Sequence, residues 1–211
     1  MLPPEFTEIL EKYDYEDYSI IIIDIDNSEP NPILNIQVSI DSYNDESNIV
    51  SSWKIKTKHY RQSRISLGFA TSLAIEDDHP ILWQFSDMQS EIYFKGGCSN
   101  PDKLFIDLYK IHSRLFNDLI PFKNSIRNVD DFSWILETSS GLLAKGPRKL
   151  MTEYSVLLNQ FNLNHTVIND RIPTYWDDDT EKNVNESGKA KVLFIDNSFI
   201  IADEFNFISV G

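Results

Sequence analysis

The sequence predicts an α+β fold: an N-terminal antiparallel meander of about five to six strands, two main helices, then a C-terminal β-hairpin. Three observations carry this. Apolar residues over 18–95 recur mainly with period two, and those over 100–162 recur at helical spacing. The strand-like segments are joined by short polar turns, which suit antiparallel neighbours and leave no room for crossover helices.

Residues 3–13 open with a short helix pattern, Phe6, Ile9, Leu10 and Tyr13. Residues 18–25 (YSIIIIDI) are β-branched and read as a buried strand. In 33–40, Leu34, Ile36, Val38 and Ile40 alternate with Asn35, Gln37 and Ser39. In 49–58, Ile49, Trp53 and Ile55 oppose Lys54, Lys56 and Lys58. A fourth strand is expected over 64–75, with Ile65, Leu67, Phe69, Leu73 and Ile75 on one face. Gly68, Ala70, Ser72 and Ala74 share the other. Short strands are expected at 81–85 and 91–95. Turns are expected at 27–32, 41–47 and Asp77-Asp78-His79-Pro80.

Asn100-Pro101-Asp102 combines an N-cap, a proline at the first helical position and an early acid, so a helix starts there and runs to about Asn117. Gly146-Pro147 opens a second helix, with Leu150, Tyr154, Leu157 and Phe161 as its apolar face. A short strand at 165–168, a polar loop over 171–188 and a hairpin, Lys191–Ile195 with Phe199–Ala202, complete the chain. No linker composition interrupts it. Residues 1–211 therefore read as a single α+β domain, β-rich over 14–96, helical over 100–162, with loop and hairpin over 165–208.

The composition, 211 residues with 41% hydrophobic, is enough for a substantial core. The longest apolar runs have four residues, as in Ile20–Ile23, whereas a membrane-spanning helix needs about 20. The N-terminus lacks a basic and apolar leader, and Cys98 is the one cysteine, so a soluble cytoplasmic chain is expected. The net charge is −14 and uneven: residues 1–50 hold 12 acids and one base, whereas 51–75 hold five bases and no acid. Such a field repels phosphate backbones and favours a basic protein partner; neither nucleic acid nor membrane is expected to bind.

Few segments suggest chemistry. An apolar run, Ile20–Ile23, leads into Asp24-Ile25-Asp26-Asn27-Ser28. This stretch resembles the nucleophile motif of the haloacid dehalogenase-like phosphohydrolases. The resemblance implies Asp24 as nucleophile, Asp26 as acid/base, a Mg²⁺ ion and a parallel sheet. The period-two alternation of 33–40 departs from that pattern. Glu76-Asp77-Asp78-His79 reads as a solvated turn, and no two histidines stand at zinc-motif spacing. In Gly141–Lys149, Pro147 stands where a phosphate-binding loop needs lysine, so a turn into the second helix is expected.

The leading expectation is therefore a non-enzymatic protein-binding module of bacterial inhibitor or immunity type, with a basic partner, no cofactor and no metal. Its candidate contact residues are Tyr175, Trp176, Asp177, Asp178 and Asp179, because aromatics beside acids suit an interface hot spot. The plain structural alternative is that Trp176 anchors the loop into the core. The functional alternatives are the phosphohydrolase using Asp24 and Asp26, and a structural or assembly protein in which Lys54, Lys56 and Lys58 pair with the acidic N-terminal third.

Overall fold

The computed structural model describes every residue except 1, 14–17, 41–48, 133–138, 178, 187 and 211. The turn expected at 41–47 lies outside the described residues, as do the side chains of Ile9, Leu10 and Ile49. The architecture is mixed, with many antiparallel strands and few helices. The chain gathers into two compact units. Unit 1 holds residues 1–78, 175–184 and 189–211, and unit 2 holds 79–174 and 185–188.

Unit 1 is built on two antiparallel sheets. The first contains β1 (Tyr18–Asp26), β2 (Ile33–Ile40) and β3 (Ile49–Lys58), paired in sequence order. Alternation fixes their register, since a slip of one residue would turn every apolar side chain to water. Ile22, Ile36 and Trp53 stand abreast on the buried face, while Asp24, Asn35 and Lys54 stand abreast on the other. The last strand of the chain, β14 (Glu204–Val210), adds to the free edge of β3. The second sheet is formed by Gln62–Arg64, Leu73–Glu76 and the hairpin of β12 (Lys191–Ile195) with β13 (Ser198–Ala202).

The two sheets share one apolar core, with Ile20, Leu34, Ile36 and Ile55 from the first and Leu193, Ile195 and Ile200 from the second. Fully burying each such side chain stabilises the fold by roughly 1.5–3 kcal/mol. Helix α1 (Pro4–Lys12) contributes Phe6, whose ring lies 4.7 Å from Trp53 and 5.4 Å from Phe207.

The single strand expected over 64–75 is three short ones. After β4 (Gln62–Arg64) the chain leaves the second sheet. It pairs with β1 over β5 (Gly68–Ala70), then returns at β6 (Leu73–Glu76). Gly68, at φ +133°, makes the crossing feasible because it carries no Cβ. The crossing also breaks the expected apolar face. Ala70 is buried, but Leu67 and Phe69 are 64% and 79% exposed.

Unit 2 is a three-stranded antiparallel sheet with two helices. Its middle strand β7 (Gln89–Lys95) is flanked by β8 (Ser140–Pro147) and β9 (Asn164–Arg171). Over Gly141–Lys149, where a turn into the second helix is expected, β8 runs to Pro147 and the helix begins at Arg148. The segment expected as a strand at 81–85 is instead a 3-10 turn and a one-turn helix, α2 (Trp83–Ser86). Pro80 and the His79 ring, whose Nδ1 accepts from the Ile81 N–H, start that helical path. Helix α3 (Pro101–Phe116) begins at Asn100, whose side chain accepts from the Lys103 N–H, and α4 (Arg148–Gln160) follows β8.

Between these helices His112 is buried. Its Nε2–H donates to the Ile120 carbonyl at 2.8 Å, so Nδ1 accepts from the Tyr154 hydroxyl at 3.2 Å. Burial holds the ring below its ordinary pKa and pushes the Tyr154 phenol up. The unfolded chain takes up a proton below about pH 6.5 that the folded ring resists, so stability is expected to fall as pH drops through 6.5. Tyr154→Phe leaves Nδ1 without a donor and is expected to cost about 1–3 kcal/mol in urea unfolding.

Candidate functional site

Asp24 and Asp26 lie at the exposed end of β1, inside an antiparallel sheet. Asp24 accepts a hydrogen bond from the Asn35 amide across the strand pair. Asp26 accepts from the Ser28 N–H at 2.9 Å, closing the turn into β2. The Ser28 contacts, then Lys54, hold its carboxyl below the usual range. Neither carboxylate stands at the end of a parallel strand, where the phosphohydrolase resemblance requires them. The same registers explain the lysine stripe. Lys54 faces Asn35 and then Asp24 across three strands, so part of the acidic N-terminal third already neighbours it within one chain.

The 171–188 segment, expected as a loop, contains two strands, β10 (Thr174–Asp177) and β11 (Lys182–Asn185), forming a two-stranded sheet. Period-two alternation then assigns the faces. Tyr175 and Asp177 turn inward, and Trp176 turns outward with 55% exposure. The anchor is therefore Tyr175, not Trp176. The Arg61 guanidinium lies 3.5 Å from the centre of the Tyr175 ring, and the His59 ring centre is 5.7 Å away. Asp178 lies outside the described residues.

Arg61 and Asp203 form the foundation of this region. Their side chains are 2% and 7% exposed, and a guanidinium nitrogen donates to the Asp203 carboxylate at 3.1 Å. Arg61 also donates to the His59 carbonyl. Backbone bonds join the same two corners: Arg61 N–H to the Ile201 carbonyl at 2.9 Å, and Asp203 N–H to the Lys58 carbonyl at 3.0 Å.

His59 follows β3 with a left-handed backbone, φ +50°, uncommon for a residue with a side chain. Its Nδ1 lies 2.9 Å from Asp203 Oδ2, and a carboxylate paired with arginine only accepts, so Nδ1 carries the proton. Nε2 is buried without a hydrogen-bond partner and faces Asp177 Oδ1 and Asp179 Oδ2, each at 3.5 Å. Asp177 is held in turn by the Thr180 hydroxyl at 2.6 Å and by the Asp179 N–H at 3.2 Å. The Thr180 hydroxyl is the main reason its carboxyl sits below the usual range. The Asp177 side chain is 13% exposed and Asp179 is 71% exposed.

Sequence reasoning singled out Tyr175, Trp176, Asp177 and Asp179 but missed His59, Arg61 and Asp203. No local signal links His59 to partners 118 and 144 residues away. The other histidines are engaged locally: His79 starts a helical turn, His112 is buried, and His165 accepts from the Ser155 hydroxyl at 2.5 Å. Unit 2 also has a cavity of about 320 Å³ lined by Gln84, Ser90, Glu91, Lys145 and Arg171 among others.

Removing Arg61 would leave the Asp203 carboxylate buried without its counter-charge. Arg61→Ala is therefore expected to destabilise the protein by roughly 3–5 kcal/mol in urea unfolding. Arg61→Lys is expected to recover part of this, since lysine supplies charge without the planar stack on Tyr175. Asp107→Ala, which removes the exposed partner of Lys103, is the contrasting control and is expected to change little.

No protein-family model matches this chain, and no curated protein and no solved structure does either.

Proposed function

We propose that this chain is a non-enzymatic protein-binding module of the inhibitor or immunity type. Its contact surface is the β10–β11 hairpin, and its partner is basic. The observation that carries this reading is the exposure of Trp176 on a hairpin whose root is clamped. Tyr175 sits under Arg61 and Asp177 is tied to Thr180, so Trp176 is presented with little freedom to lose on binding. Tryptophan is among the residues enriched at interface hot spots. The net charge of −14 supplies the steering field for a positively charged surface, raising the association rate more than the affinity. Among the described residues no helix is long and apolar enough to cross a membrane.

Affinity capture from native lysate at low and high salt, run in parallel with wild type and Trp176→Ala, tests this. A species that wild type retains at low salt, releases at high salt, and that Trp176→Ala fails to retain is the expected result. Only salt-insensitive species, or species held equally by Trp176→Ala, would sink the proposal.

A second reading, self-assembly, is favoured by one observation: Leu67, Phe69 and Ile23 are 64%, 79% and 51% exposed around the edge strand β5. Exposed apolar side chains at an open edge invite pairing with another edge. On this reading sedimentation shows a dimer that Phe69→Lys converts to monomer; a wild-type monomer at all concentrations removes it.

A further inference from the structure

We propose that His59, Asp177 and Asp179 form a binding site for a divalent transition metal of the zinc type. One ligand atom from each residue lies within 4.8 Å of the other two. The imidazole Nε2 is 3.5 Å from each carboxylate oxygen. Ligands held about 2.0–2.1 Å from a tetrahedral ion stand about 3.4 Å from one another, so these spacings suit an ion between them.

An acidic cluster alone would not carry this conclusion. The independent observation is the state of Nε2. It is buried and makes no hydrogen bond, although such an atom ordinarily finds a partner. Its tautomer is set from behind. Nδ1–H donates to Asp203, so neutral His59 aims its Nε2 lone pair at the two carboxylates, where no donor answers it. The arrangement is the carboxylate–histidine–metal triad, with Asp203 as the orienting group and Arg61 holding Asp203. Two carboxylates and one neutral imidazole balance a doubly charged ion, and imidazole with carboxylate donors suits Zn²⁺ better than Mg²⁺ or Ca²⁺. Asp179, 71% exposed, leaves the fourth position open to water.

Such an ion would tie the β10–β11 turn to the end of β3. The site stands whether or not Trp176 contacts a partner. Its competitor is a proton on Nε2, which would make His59 an imidazolium between the same carboxylates.

The test uses the full chain after chelator treatment, titrated calorimetrically with Zn²⁺, and with Co²⁺ for its visible absorption. Saturable binding of one ion is expected, with Co²⁺ bands of tetrahedral intensity. His59→Ala and Asp179→Asn are each expected to weaken binding at least about tenfold, and Asp203→Asn by about 10–100-fold. Asp24→Asn, an exposed acid elsewhere in unit 1, is expected to leave it unchanged. If His59→Ala fails to fold by circular dichroism, Asp179→Asn carries the test, because its side chain is exposed. Absence of saturable binding at submillimolar Zn²⁺ would overturn the site, as would binding indifferent to both His59→Ala and Asp179→Asn, which would mark diffuse attraction to an acidic surface. Wild-type affinity in Asp203→Asn would overturn its orienting role.

Discussion

The buried Arg61–Asp203 pair is the constraint on which the rest of unit 1's surface chemistry depends. Two charges taken out of water are costly, and their attraction offsets that cost only when the remaining donors and acceptors are also used. Here they are. The guanidinium contacts Asp203, the His59 carbonyl and the Tyr175 face, and the second oxygen of Asp203 takes the His59 Nδ1–H. Because each group serves two neighbours, the pair does more than join the segment before β4 to the turn before β14. It sets which way the His59 ring faces and where the root of the β10–β11 hairpin lies. Exposed pairs such as Lys103–Asp107 have no comparable reach, since either side chain can turn to water at little cost.

The parts of the fold legible in the sequence are those whose register is enforced locally. β1, β2 and β3 announce themselves because Leu34, Ile36, Val38, Trp53 and Ile55 alternate with polar residues, and one face must be dry. The start of α3 is legible because Asn100 and Pro101 satisfy a helix end by themselves. The parts that stay hidden are those decided by distant partners. Residues 62–76 look continuous, yet their pairing alternates between β13, β1 and β12, none adjacent in sequence. β14 lacks its own signal because five of its seven residues remain exposed at the edge it completes. The boundaries near Asp78 and Tyr175 fall in a short turn and a polar segment, each of which also suits a loop within one domain, so the sequence does not set the division into two units apart.

The hairpin residues show the same limit at the level of a site. Tyr175, Trp176 and the acids were visible as an aromatic–acidic run, but their division of labour was not. That division follows from alternation once 174–177 is a strand: odd positions face inward and even ones outward. Read as a loop, the run gives Trp176 the anchor's role because it is the larger ring. Read as a strand, it gives that role to Tyr175, whose ring centre lies 3.5 Å from the Arg61 guanidinium.

Why a chain of net charge −14 should crowd three carboxylates around one imidazole is then a question of what offsets them. Asp177, Asp179 and Asp203 all lie within 3.5 Å of the His59 ring nitrogens, and the Asp177 and Asp179 ligand oxygens lie within 4.8 Å of each other, close enough for like charges to repel. Arg61 pairs with Asp203, and the Thr180 hydroxyl gives Asp177 a donor but no charge. Lys58 offsets part of the charge on Asp177, and whatever sits on Nε2 adds to that offset between Asp177 and Asp179. A proton places one positive charge there, and a divalent ion places two. The second matches the two carboxylates in number, and it occupies a buried ring nitrogen that has no hydrogen-bond partner.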